Sequence, residues 1–305
     1  MESGNSIKIH SSEFEQLMMV DYFWWSFSKD FDLFPCDKVT PDGIVEEYGY
    51  TDFCDDYPYC QQFSTHVGDM LPRRFEYKGK FMEFHPSPNG IATLRDYDIL
   101  LYCQCGLAND PPVENRKNEI GDLLEFHVED FYAFFGRARK GDRDESLVQA
   151  LDRLKGSTII TNTVCMGHDT TGAPRGYISG YRLVRDETSK IKTVFVQLPY
   201  RLSLLFDESW FRYYHDGFTN LSPSRKAIYM FLKCYATQPE NFVTASYEKM
   251  RQITGATSPI RIFKNLIEDL EENSIPGYAA TVHRNEQRVT FKCISHAYRG
   301  DEQAE

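Results

Sequence analysis

Residues 246–290 constrain the fold more than any other stretch, because two short amphipathic helical patterns flank Gly255-Ala256-Thr257 and a hairpin pattern follows. That order predicts a helix-turn-helix with a wing. In the second helix Ser258 suits the N-cap and Pro259 the first helical position. Ile260, Phe263, Ile267 and Leu270 then recur at spacings of three and four and define a face to be buried. Gly255 accepts a positive φ that a larger residue resists, so the turn after Tyr247, Met250 and Ile253 can be tight. With its inner face packed, the second helix offers Arg261, Lys264, Asn265 and Glu268 outward. The basic pair sits toward the N-terminal end, from which DNA-reading helices make their base contacts. An ordinary helical hairpin within a core has the same pattern.

The chain of 305 residues is long enough for two domains, and 41% hydrophobic residues supply ordinary cores. No apolar run approaches the roughly 20 residues that span a bilayer, and Met1-Glu2-Ser3-Gly4 lacks the basic and apolar regions of a signal peptide. A cytoplasmic protein without a membrane partner is expected. The eight cysteines are scattered from Cys36 to Cys293 and are expected to be reduced. Cys103 and Cys105 fall in a helical pattern that points them apart, and Cys54 and Cys60 have no matching second pair, so neither set predicts zinc.

A net charge of −11 argues at first against a nucleic-acid partner. Its distribution reverses that. Residues 1–70 hold 14 acidic and 3 basic residues, whereas residues 71–305 hold 31 of each, so a neutral body can carry basic patches while the head is repelled by DNA. The head also holds Tyr22-Phe23-Trp24-Trp25 and further aromatics that acidic tails normally lack, which points to a part that folds or docks on its own body or on a partner. Pro35, Pro41 and Pro58 interrupt any long helix there.

From Arg73 the pattern becomes regular. Residues 75–84 read as two strands around Tyr77-Lys78-Gly79-Lys80, and Thr93 with Asp96 forms a capping-box-like start for a helix through Tyr97, Leu100 and Leu101. An apolar helix over 128–135 leads into a basic turn, then a helix over 144–155 with Leu147, Leu151 and Leu154 on one face. β-branched runs at 157–164 and 177–184 around a Gly/Pro-containing segment fit a wide hairpin, and 193–198 continues as strand. Residues 201–214 are expected as helix and connection. Ser222 and Pro223 open the next helix, and the final hairpin pairs 278–282 with 288–293. The same order occurs at about 73–198 and 200–296. The predicted fold is therefore α+β: an acidic, aromatic-rich extension (1–70), winged-helix domains at 71–199 and 200–296, and a flexible tail (297–305).

Three blocks in this order, GIATLRDYDIL at 90–100, LDRLKGSTIITN at 151–162 and GATSPIRIFK at 255–264, resemble the plasmid replication initiator protein A family of bacteria. The resemblance spans about 71–293 and leaves the head outside. It implies a tandem winged-helix initiator that binds repeated double-stranded sites in a plasmid origin, helps melt A·T-rich DNA and recruits the host replication initiator and helicase machinery. It also implies a dimeric form that represses its own gene.

The residues then take expected roles. Arg261 and Asn265 read bases, since guanidinium pairs bidentately with guanine and amide with adenine, while Lys264 and Ser258 position phosphates. Arg225 and Lys226 add backbone contacts beside a helix N-terminus. Arg137, Arg139, Lys140 and Arg143 make a phosphate clamp, with Gln149 and Arg153 on the outer face of the following helix. Arg284 and Arg288 reach backbone or minor groove from the wing. A capped, solvated helix face and a solvated charged turn are the structural alternatives for these residues. A second reading makes the chain an interaction module whose acidic head docks on a partner or masks its own DNA-binding face. Without a phosphate-binding loop, a nucleophile elbow or a metal-spaced histidine set (His66, His85, His127 and His168 fall apart), neither an enzyme nor a cofactor is expected.

Overall fold

The computed structural model describes residues 7–9, 17–20, 63–77, 80–109, 123–138, 143–161, 164–165, 168–169, 176–199, 211–236, 242–256 and 258–294. In chain order the strands and helices are β1 (Ile7–Ile9), β2 (Leu17–Val20), β3 (Arg73–Tyr77), β4 (Lys80–His85), α1 (Tyr97–Asn109), β5 (Leu123–His127), α2 (Val128–Phe134), α3 (Arg143–Gly156), β6 (Thr158–Thr161), β7 (Val164–Cys165), β8 (His168–Asp169), β9 (Gly180–Arg185), β10 (Ile191–Gln197), β11 (Phe211–Tyr214), α4 (Pro223–Tyr235), β12 (Phe242–Ser246), α5 (Tyr247–Thr254), α6 (Ile260–Asp269), β13 (Tyr278–His283) and β14 (Arg288–Cys293). A 3₁₀ turn, Asp216–Asn220, precedes α4.

One arrangement occurs twice. In the first half α1 is followed by β5, α2, α3, β9 and β10, and the three strands lie in the order β5-β10-β9. In the second half α4 is followed by β12, α5, α6, β13 and β14, in the order β12-β14-β13. All four pairings are antiparallel, so in each half the last strand sits between the other two. Each first strand runs without a loop into its helix, at His127-Val128 and Ser246-Tyr247. The first half adds β1, which joins the outer edge of β5 in parallel, Ile7 opposite Leu124. Ile9 is buried against α1, where a Cβ on Gly106 would lie 2.6 Å from its side chain. Part of the head therefore packs on the body, and β2 pairs with β11.

The hydrophobic pattern explains why these segments form these elements. Along β5 every second residue, Leu124 and Phe126, is buried, which is the period of a strand with one face on a core. Helix α3 buries Leu147, Ala150, Leu151 and Leu154, spaced three and four apart. The reciprocal cap expected before α1 forms: the Thr93 N–H donates to Asp96 Oδ2 at 2.7 Å, and the Asp96 N–H to Thr93 Oγ1 at 3.3 Å. Cys103 and Cys105 of α1 are buried thiols, and burial pushes the Cys103 thiol up.

The halves share one core. An aromatic chain runs from Tyr177 through Phe63, Tyr97, Phe218 and Tyr229 to Tyr278, with successive ring centroids 4.7, 5.0, 6.5, 5.0 and 6.1 Å apart. Edge-on contacts among these rings add to the area that they bury.

Three sequence expectations change. The runs at 157–164 and 177–184 do not pair with each other: β6 extends the β3-β4 hairpin into a three-stranded sheet, and β9 pairs with β10. The shorter connection wins. The Asp186 carboxylate closes the turn between β9 and β10 by accepting from the N–H groups of Thr188 (2.8 Å) and Lys190 (3.0 Å). Gly176 instead passes against the end of α3, where a Cβ would lie 2.4 Å from the Lys155 carbonyl. Residues 211–214 are strand, while 201–210 lie outside the described residues. Helix α6 starts one residue later than expected: Pro259, not Ser258, holds the cap position, and its carbonyl accepts from Ile262 and Phe263.

Candidate nucleic-acid interface

Helix α6 is held by a short, well-capped unit. Ser246 accepts from the Lys249 N–H at 3.1 Å and so caps α5, and α5 ends at Gly255 with φ +61°, the left-handed conformation that its sequence position required. Phe263, Ile267 and Leu270 are buried in the same core as Met250 and Ile253. Outward stand Arg261 and Asn265, both exposed, and Lys264, partly exposed. None of the three forms an ion pair among the described residues. Ile260, assigned from sequence to the buried face, is 37% exposed, and Ile262 beside it is 56% exposed. With Arg261 between them, the exposed N-terminal end of α6 is both cationic and apolar.

The neighbouring cations are less free than their sequence positions suggest. Arg284, at the turn between β13 and β14, donates to Glu271 at 2.6 Å just beyond α6. The N–H of Val282 and then Arg284 hold the Glu271 carboxyl below the usual range. Arg288 is partly buried on β14, opposite Ser246 and His283. Arg225 donates to the Asn273 carbonyl at 2.7 Å and to the Asp269 carboxylate, so it braces the C-terminal end of α6 and is not the expected phosphate contact.

Five further residues assigned to DNA converge elsewhere. Arg137, Arg143, Gln149, Arg153 and Lys226 line a cleft of about 630 Å³ between the halves. The Arg153 side chain, expected on an outer face, is 5% exposed and grips Asp96 through two hydrogen bonds of 2.7 and 2.8 Å. Lys226 is 2% exposed and pairs with Asp98, which is wholly buried and also receives Arg137. Both sequence assignments are corrected for one reason. Burying a cation requires a carboxylate at hand, and the start of α1 supplies two, Asp96 just before it and Asp98 in its first turn. Burial pushes the Lys226 ammonium down, Asp98 opposes that, and the charges of Arg137 and Arg95 reinforce it. Arg143 stacks over Tyr132 at 5.4 Å, and Gln149 donates to Glu145 at 3.3 Å on the surface of α3. Arg139 and Lys140 lie outside the described residues.

Two exposed lysines were missed from sequence. The β9-β10 turn carries Lys190 and, on β10, Lys192, both open to solvent, with exposed Arg185 donating to the Ser189 carbonyl at 2.7 Å. Their signal was the run Thr188-Ser189-Lys190 between two β-branched segments, which becomes a tip once 177–184 is paired forward with 191–197.

With this geometry in place, the comparisons give the family. Residues 61–280 match the family Replication initiator protein A, and the chain belongs to that family. A protein of Wigglesworthia glossinidia brevipalpis whose name assigns it to replication is 26% identical over 233 residues, covering 75% of this chain and 84% of the relative. Crystal structures of domains 2 and 3 of RctB are similar at TM-scores of 0.49 and 0.48, with 11% and 12% identity. They cover 77% and 75% of this chain and 93% and 92% of their own. Among the described residues no helix is long and apolar enough to cross a membrane.

Proposed function

We propose that the chain initiates plasmid replication by binding repeated duplex sites in an origin through two winged-helix units, with α6 as the principal reading helix. The outward face of α6 carries this reading: among the described residues Arg261, Lys264 and Asn265 stand without ion pairs, on a helix whose other side is locked in the core. Family membership and the repeated helix-strand-helix-helix-strand-strand order support it. The guanidinium of Arg261 and the amide of Asn265 suit guanine and adenine in the major groove, and Lys264 suits phosphate.

The two units contribute unequally. Helix α3, which occupies in the first half the place of α6, begins with Asp144 and Glu145 and turns Arg153 inward. Its unit instead meets the backbone with Lys190 and Lys192 of the β9-β10 hairpin. Binding energy and DNA deformation do the work, with no covalent chemistry by the protein. Recruitment of host initiator and helicase, pairing of two copies and repression of its own gene belong to the same reading.

Anisotropy binding to origin repeats and to a scrambled duplex tests it. Arg261→Ala is expected to lose about 1–3 kcal/mol of preference for the repeat. Lys190→Ala with Lys192→Ala should weaken both duplexes alike and lower the salt slope by about one per lost contact. Unchanged binding in both variants removes the assignment.

A second reading, in which the head masks the DNA-binding face, draws on its charge of 14 acidic against 3 basic residues. Replacing Asp52, Asp55 and Asp56 by Asn is then expected to raise DNA affinity. Equal affinity discards masking.

A further inference from the structure

The cleft between the halves holds more positive charge than its own carboxylates neutralise. Arg95, Arg137, Arg143, Arg153 and Lys226 line it. Among the described residues two carboxylates stand against these five cations: Asp96, engaged by Arg153, and Asp98, shared by Lys226 and Arg137. Arg143 Nη1 is shut off from solvent without a hydrogen-bond partner among the described residues. Exposed Arg95, at the rim, makes no ion pair among the described residues. Shut-off donors without acceptors and surplus like charge are both costly, and an anion relieves both.

A helix end faces the same space. Ser222 and Pro223, at the start of the 13-residue α4, line the cleft, and the Ser222 side chain makes no capping bond. The first-turn N–H groups there keep capacity for an acceptor, and the helix dipole favours negative charge. A volume of about 630 Å³ suits a small ligand rather than a lone ion.

We propose that this cleft binds a small polyphosphate anion, such as the diphosphate or triphosphate group of a nucleotide, held by Arg95, Arg143 and the N-terminus of α4. Such a ligand touches α3 and the loop before α1 on one side and α4 on the other, so it bridges the two halves. It is separate from the DNA-binding face of α6.

Calorimetry and thermal melting of the full chain, titrated with inorganic pyrophosphate and with ATP at constant ionic strength, test the proposal. Saturable one-to-one binding and a raised melting temperature are expected. Binding should weaken about tenfold or more in Arg95→Ala and Arg143→Ala, as suits loss of a charge-assisted contact. Arg95 is exposed, so its removal leaves folding intact, and Arg261→Ala should bind the anions like wild type. Tighter binding of ATP than of pyrophosphate assigns a nucleotide, and equal binding assigns the polyphosphate alone. Absence of heat and of a melting shift up to on the order of 10 mM ligand overturns the proposal. Anion binding equal to wild type in both cleft variants does the same. So does a loss of origin binding in those variants with no anion bound, because the cleft then serves DNA backbone.

Discussion

Arg153 shows how a single side chain can carry the wrong outward sign. It borders the stripe of Leu147, Ala150, Leu151 and Leu154, and helical periodicity alone leaves it free to face water. Its partner Asp96 lies 57 residues away and was legible in the sequence only as a helix cap. Capping is local and could be read; the ion pair is long-range and could not. Arg153→Met is expected to cost about 3–5 kcal/mol in urea denaturation, because Asp96 is left charged and buried. Adding Asp96→Asn should recover part of that loss, since the amide oxygen can still accept from the Thr93 N–H. Equal destabilisation in the single and double variants would show that the stranded charge of Asp96 is not the source of the loss.

At the level of elements, helices were more legible than strand partners. The positive φ of Gly255, the start of α4 at Pro223 and the hairpin of β13 and β14 all follow from residues adjacent in sequence. The pairing of β6 with β4 and of β9 with β10 depends on which segments meet across the sheet, and periodicity gives strand character without naming a neighbour. Gly255→Ala separates backbone strain from packing. A Cβ there meets only the Arg73 guanidinium at 3.8 Å, an ordinary contact, so the expected loss of about 1–2 kcal/mol comes from the left-handed conformation. Thermal melting should record that loss while the preference for origin repeats is retained. A larger loss, or altered preference, would mean that the turn sets the position of α6 more sensitively than its geometry indicates.

For the whole molecule, the charge count of the sequence sets 14 acidic and 3 basic residues at 1–70 against 31 of each at 71–305. It could not tell which basic residues of the body turn inward. Asp98 shows why: it gathers Lys226 from α4 and Arg137 from the loop after α2, so a single carboxylate joins both halves. Asp98→Asn is expected to be more damaging than Lys226→Met, since the first leaves two cations facing each other in a dry site and the second leaves the Arg137 pair intact. Urea titrations that follow both halves should show the larger shift in midpoint for Asp98→Asn, and the reverse order would place the junction's stability in the aromatic chain instead. The β1 strand adds a temporal consequence. Ile7 pairs with Leu124, so during synthesis β1 waits for a partner made more than a hundred residues later. Until α1 and β5 emerge Ile9 lacks the neighbours that bury it, and this sheet closes only when the nascent chain draws earlier-made residues back onto newer ones.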